Sequence, residues 1–194
     1  MDSMNANPTT HALGVVLIGH GAPATDCPPQ LVGELMSLEW RAAGPAGHGH
    51  HHAAPEGRAA ELDAKIRDWP RRADNDPYKA GLERLAAELR PRLPTARFAI
   101  GYNEFCRPSI PEAIGQVIAQ GATRVLVLPT MLTPGGVHSE VDIPRTLEAV
   151  RRAHPGVTID YLWPYTLSQV AALLASHVER AAHDALVDGP PRRA

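Results

Sequence analysis

Four short runs rich in Val, Leu and Ile, at Leu13–Gly19, Arg97–Tyr102, Arg124–Pro129 and Val157–Trp163, alternate with longer stretches of helical periodicity. Continuous apolar runs of this length fit strands covered on both faces, which is the setting of a parallel sheet rather than of hairpins. The intervening helices are predicted at Gln30–Ala42, Ala59–Trp69, Tyr78–Leu93, Ile110–Gln120, Ile143–Ala153 and Leu167–Ala185. Gly121 and Gly156 act as stops, and Ser109-Ile-Pro-Glu112 reads as a capped start. Strand–helix alternation implies an α/β layered fold with right-handed crossovers. The expectation is a small four-stranded parallel sheet with helices on both faces.

Composition narrows the class. At 194 residues, 44% apolar and 21% charged, the chain suits one globular domain with a real core. Its expected extent is 13–186, with a flexible N-terminus over 1–12 and a flexible tail over 187–194. A formal net charge of -2 argues against a nucleic-acid or membrane-surface protein, although a local basic patch could still receive an anionic small molecule. Cys27 and Cys106 form neither a Cys-x-x-Cys pair nor a disulfide framework. Met1–Thr10 is polar, and no segment approaches a membrane span. The cytoplasm is the expected location.

Two histidines stand just past strand ends and beside glycine. His20 closes Leu13-Gly-Val-Val-Leu-Ile-Gly-His20-Gly21, and His138 follows the third run through Thr130-Met-Leu-Thr-Pro-Gly135-Gly136-Val137. The carboxyl ends of parallel strands converge on one edge, so both imidazoles can face one crevice. A pair there can bind a transition metal and take up protons. Gly19, Gly21, Gly135 and Gly136 would let the backbone bend at the strand ends and let a flat ligand approach, or they are simply turn residues.

About 50 residues separate the first strand from the helix at Tyr78, longer than an ordinary connection. This insert, at about 24–76, reads as helical and broken by a loop carrying His48, His50, His51 and His52. Clustered imidazoles bind Ni, Co, Cu or Zn whatever their purpose. The loop is either low-complexity sequence with incidental affinity or an auxiliary metal-gathering element.

Three segments taken together, Leu17-Ile-Gly-His20-Gly21-Ala-Pro23, Asn103-Glu104-Phe-Cys-Arg107-Pro-Ser109 and Gly136-Val-His138-Ser-Glu-Val-Asp142-Ile-Pro144, resemble the CbiX/SirB group of sirohydrochlorin chelatases. The resemblance spans roughly residues 13–180. It implies the class II chelatase fold and ATP-independent insertion of Co, Fe or Ni into a sirohydrochlorin-type tetrapyrrole, with the divalent metal as substrate and no nucleotide. It makes His20 and His138 the metal-binding pair, with Glu104 at the place of an acidic residue seen in related cobalt chelatases. The chemistry wants the same residue types, because metal insertion removes two pyrrole protons and strips water from the ion. Two imidazoles and a carboxylate leave coordination positions open, unlike a closed structural cage.

Arg107 and Arg145 are candidates to hold the carboxylates of such a substrate by bidentate bonds. Asp142 and Glu140 read as acids at a helix N-terminus rather than metal ligands, although either could orient His138. Trp163-Pro164-Tyr165 would cover the sheet edge or stack on a macrocycle. By resemblance to the short family members, a homodimer is expected; a monomer whose insert caps its own cleft is the alternative. The insert is itself a departure from the compact short forms, and it falls where substrate would enter.

Two other functions fit parts of the pattern. A metal chaperone or store, or a tetrapyrrole-binding protein without insertion, would use the same crevice. A phosphoryl-transfer enzyme of Arg-His-Gly type would need an arginine where Gly19 stands.

Overall fold

The strand Leu13–Gly19 (β1) is buried along six of its seven residues because it is paired on both edges. The computed structural model describes residues 12–43 and 56–188. In chain order β1 is followed by helices α1 (Pro29–Ala43), α2 (Gly57–Arg67) and α3 (Pro77–Leu89), strand β2 (Phe98–Tyr102), α4 (Ile110–Ala119), β3 (Arg124–Pro129), α5 (Ile143–Ala153), β4 (Thr158–Tyr161) and α6 (Leu167–Asp188). All pairings are parallel, in the order β2-β1-β3-β4. The register sets Gly19 opposite Tyr102 on one side and Ile18 opposite Pro129 on the other. The chain reverses its direction of winding between β1 and β3, the place where open α/β sheets form their ligand crevice.

Alternation along β1 distributes the core to two faces. Val16 and Ile18 join Val125, Val127 and Ile159 against Ile114 and Val117 of α4 and Leu147 of α5. Leu17 points the other way, with Tyr102, toward Leu82 and Ala86 of α3. The expected sheet with helices on both faces is what these two clusters build. A third cluster belongs to the insert, where Leu35 of α1 and Leu62 and Ile66 of α2 close around Phe105, which follows β2. The insert is thereby fastened to the loop that carries Glu104.

Element ends follow local chemistry. A reciprocal capping box between Ser109 and Glu112 starts α4 as expected. Proline shortens two helices: α2 ends at Arg67 ahead of Pro70, and after Leu89 the chain tightens into a 3₁₀ turn at Arg90–Arg92 around Pro91. The segment before α5, where Glu140 and Asp142 were expected as acids at a helix start, is a π-helical turn over His138–Asp142.

The chain divides into two compact units, residues 1–131 with 135–163, and residues 132–134 with 164–194. The sheet and α1–α5 lie in the first; the 22-residue α6 lies in the second. No helix among the described residues is long and apolar enough to cross a membrane. Residues 1–11 and 189–194 of the expected tails lie outside the described residues, as do His48, His50, His51 and His52.

Ile114 is fully buried between α4 and the sheet. Ile114→Ala is expected to lower unfolding free energy by about 2–5 kcal/mol, read from urea denaturation followed by circular dichroism.

Candidate metal centre

Strand pairing does not stop where β1 and β2 end. The Asn103 N–H donates to the Gly19 carbonyl at 3.0 Å, and the Glu104 N–H donates to the His20 carbonyl at 2.8 Å. This continued ladder places Glu104 beside His20. The two loops then approach so closely at Gly21, where φ is 94°, that a Cβ would stand 1.9 Å from the Glu104 carbonyl oxygen. Only glycine meets both conditions. On the other edge of β1, the Thr130 N–H donates to the Ile18 carbonyl at 2.8 Å and leads the chain out toward His138.

Each imidazole has its tautomer set by the partner of Nδ1. His20 Nδ1 lies 2.7 Å from the Gly21 carbonyl oxygen, which can only accept, so Nδ1 carries the proton and Nε2 offers a lone pair. His138 Nδ1 lies 2.7 Å from Asp142 Oδ2, with the same consequence. The side-chain amide of Asn103 is 3.1 Å from that same ring nitrogen. The two Nε2 atoms face each other at 3.1 Å, with the rings edge-on at 83°. Donor atoms bound to one ion at about 2.0–2.2 Å stand about 3.0–3.5 Å apart, so this spacing suits a shared metal.

Glu104 completes the group. It is buried, its Oε2 is 3.9 Å from His20 Nε2, and its Oε1 is 3.6 Å from His138 Nδ1. One ligand atom from each of His20, Glu104 and His138 falls within 4.8 Å of the others. His20 is the wet member, its side chain 42% exposed against 22% for His138 and 10% for Glu104. A backbone bond from the His20 N–H to the Tyr78 hydroxyl, 2.7 Å, ties the loop to the start of α3. Cys106 is no ligand in this arrangement: burial pushes its thiol up, and Sγ donates to the Ala22 carbonyl at 3.3 Å.

The other residues singled out in the sequence sit around this core. Gly135 adopts φ 94°, and its N–H donates to Glu140, so Glu140 braces the loop. Gly136 accepts from the Ser139 hydroxyl. Asp142 closes the π-helical turn ahead of α5 and holds His138, the orienting role that the sequence allowed it. Arg107 pairs with Asp68 and Glu112, so its guanidinium is turned to the protein's own carboxylates. A cavity of about 450 Å³ beside the site reaches Glu104 and Asp142 and carries Arg67, Arg107 and Arg145 on its wall. Asn103 escaped the sequence reading, whereas an orienting role for Asp142 was one of the readings offered there, and the i,i+4 spacing of His138 and Asp142 is its signal.

The family model described as CbiX matches residues 73–181, more than half of the chain, a span that includes Glu104 and His138 and begins after His20. The chain belongs to the CbiX family. A sirohydrochlorin cobaltochelatase of Methanocaldococcus jannaschii is 39% identical over 79 residues, covering 40% of this chain and 54% of that protein. One from Priestia megaterium is 35% identical over 68 residues, 35% of this chain and 22% of that protein. The chain thus spans about half, or less, of the length of the curated relatives it matches. The crystal structure of the sirohydrochlorin chelatase SirB from Bacillus subtilis subspecies spizizenii, in complex with cobalt, aligns at a TM-score of 0.44 and 15% identity, over 78% of this chain and 43% of that one.

Removing the carboxylate that fixes the His138 tautomer should weaken metal binding without unfolding the chain. Asp142→Ala is expected to lower Co²⁺ affinity by about 10–100-fold in isothermal titration, with far-UV circular dichroism unchanged.

Proposed function

We propose that this CbiX-family chain inserts a divalent transition-metal ion, Co²⁺, Fe²⁺ or Ni²⁺, into a sirohydrochlorin-type tetrapyrrole without ATP. The observation that carries this reading is the pair of Nε2 lone pairs 3.1 Å apart with the Glu104 carboxylate alongside. Three protein ligands hold an ion while leaving coordination positions for water and pyrrole nitrogens. His138, backed by Asp142, is the fixed ligand. His20, held on Nδ1 only by a carbonyl and exposed on one side, is the ligand that lets go. As the macrocycle takes the ion, the Nε2 atoms and Glu104 become free to accept the two departing pyrrole protons, which is general-base work suited to these groups. The expected name-sakes of this activity among the relatives, the sirohydrochlorin cobaltochelatases, support the substrate class.

A homodimer and a cytoplasmic site of action belong to the same proposal. The described residues offer one His20–Glu104–His138 set per chain, and symmetric pairs are the commonest oligomers. The cavity wall carries Arg67, Arg107 and Arg145, which supports an anionic substrate; Arg67 also pairs with Asp63, and Arg107 with Asp68 and Glu112.

In an absorbance assay mixing sirohydrochlorin with Co²⁺, Ni²⁺ or Fe²⁺, the unaltered protein is expected to accelerate insertion. His20→Ala and His138→Ala should each lose about 100-fold or more of that acceleration. Equal rates in all three proteins overturn the proposal.

Metal storage is the competing function, and the histidine-rich stretch separates the two. Replacing His48, His50, His51 and His52 together by Ser should leave the insertion rate within about twofold of the original, since the proposal assigns the ion to His20, Glu104 and His138. Loss of most metal capacity together with absence of insertion would favour storage.

A further inference from the structure

Arg71 lies in the insert, two residues before the segment that matches the family, and reaches two of the three ligand-bearing loops, those of His20 and Glu104. Its Nη1 donates to the Ala22 carbonyl at 2.7 Å, two residues beyond His20. Its Nη2 donates to the Phe105 carbonyl at 2.5 Å, one residue beyond Glu104, and to Ile66 at 3.0 Å at the end of α2. The backbone at Phe105 has φ 55°, a left-handed conformation that an L-residue holds only when its surroundings impose it. The bonded carbonyl is part of that imposition.

A second line runs from the same guanidinium to His20. Arg71 Nη1 pairs with Asp76 Oδ2 at 2.7 Å, with side-chain exposures of 10% and 1%. Asp76 caps α3 by accepting from the Lys79 N–H at 2.9 Å, and Tyr78 in that first turn accepts the His20 N–H. The buried Nε–H of Arg71 meets no acceptor, so the guanidinium is oriented for its two terminal nitrogens at the expense of the third. The planar fork spans four acceptors on separate segments; a lysine ammonium, one point of charge, cannot.

We infer that Arg71 is a positioning residue that fixes the spacing between His20 and Glu104, so that the insert sets the geometry of the metal centre. This rests on reading the three-ligand group as the place where the ion is bound. Neighbouring Arg67 reinforces the hold, donating to the carbonyls of Asn103 and Cys106 at 3.0 Å each, on either side of Glu104.

The test compares full-length protein with Arg71→Lys and Arg71→Ala, and with Arg58→Ala as a control in the exposed part of the insert. Co²⁺ is titrated by its visible ligand-field absorption, insertion into sirohydrochlorin is timed, and melting temperature is recorded. Arg71→Ala is expected to weaken Co²⁺ binding by about tenfold or more and to shift the absorption band. KM for the metal should rise while KM for the macrocycle stays put. Arg71→Lys, which keeps the charge beside Asp76, should fall between, millimolar guanidinium should restore part of the Co²⁺ affinity of Arg71→Ala, and Arg58→Ala should match the unaltered protein. Unchanged Co²⁺ affinity and spectrum in the folded variants overturn the inference, and Arg71→Lys decides alone if Arg71→Ala does not fold. Unaltered protein that binds Co²⁺ yet inserts none defeats the proposed function, while the Co²⁺ titrations still decide the role of Arg71.

Discussion

Two imidazole nitrogens 3.1 Å apart, each left with a lone pair because the ring's other nitrogen gives its proton to an oxygen, repel one another until a positive charge joins them. Much of the surrounding structure can be understood as holding them there. The Gly21 carbonyl and the Asp142 carboxylate keep the tautomers, and Glu104 adds negative charge within reach of both rings. A site arranged in this way favours a metal cation by its own electrostatics, before any substrate arrives. That preference is the physical basis of the first half of the proposed reaction, holding the ion until the macrocycle takes it.

Sheet topology supplies the proximity. With β1 at the centre and β2 and β3 on its two sides, the loops that follow three adjacent strands must emerge next to one another, and each contributes one member of the group. The hydrogen-bonded ladder running past Gly19 makes the first two loops a rigid pair rather than flexible connections. Packing under the sheet matters to function through this route: the register of β1 against β2 and β3 sets how the three loops are staggered.

The four strands, and the histidines that follow two of them, were legible because their signals are local. Apolar runs bounded by glycine and proline announce strands, and a histidine after such a run needs no distant partner to be noticed. Glu104 was found by resemblance rather than by pattern. What stayed hidden depends on atoms brought together from separated segments. The amide of Asn103 beside His138 and the grip of Arg71 on Ala22 and Phe105 leave no periodicity in the chain. Arg107 illustrates the converse, since an arginine beside a strand end suggested a ligand contact, yet Asp68 of the insert and Glu112 of α4 stand close enough to occupy it. Gly21 was noticed for the right residue type, but the close approach of the Glu104 carbonyl, which demands glycine there, left no trace in the sequence.

The π-helical turn at His138–Asp142 makes chain length a functional quantity. Connecting segments usually tolerate gain or loss of a residue, but a widened turn holds one residue more than regular α-helix would. Excising that residue would let the segment relax into the geometry of α5 and swing the imidazole by about 100° around the axis, away from its counterpart on the neighbouring loop. Losing one residue of Ser139-Glu140-Val141, then, removes no member of the hydrophobic clusters and still turns the imidazole out of the site.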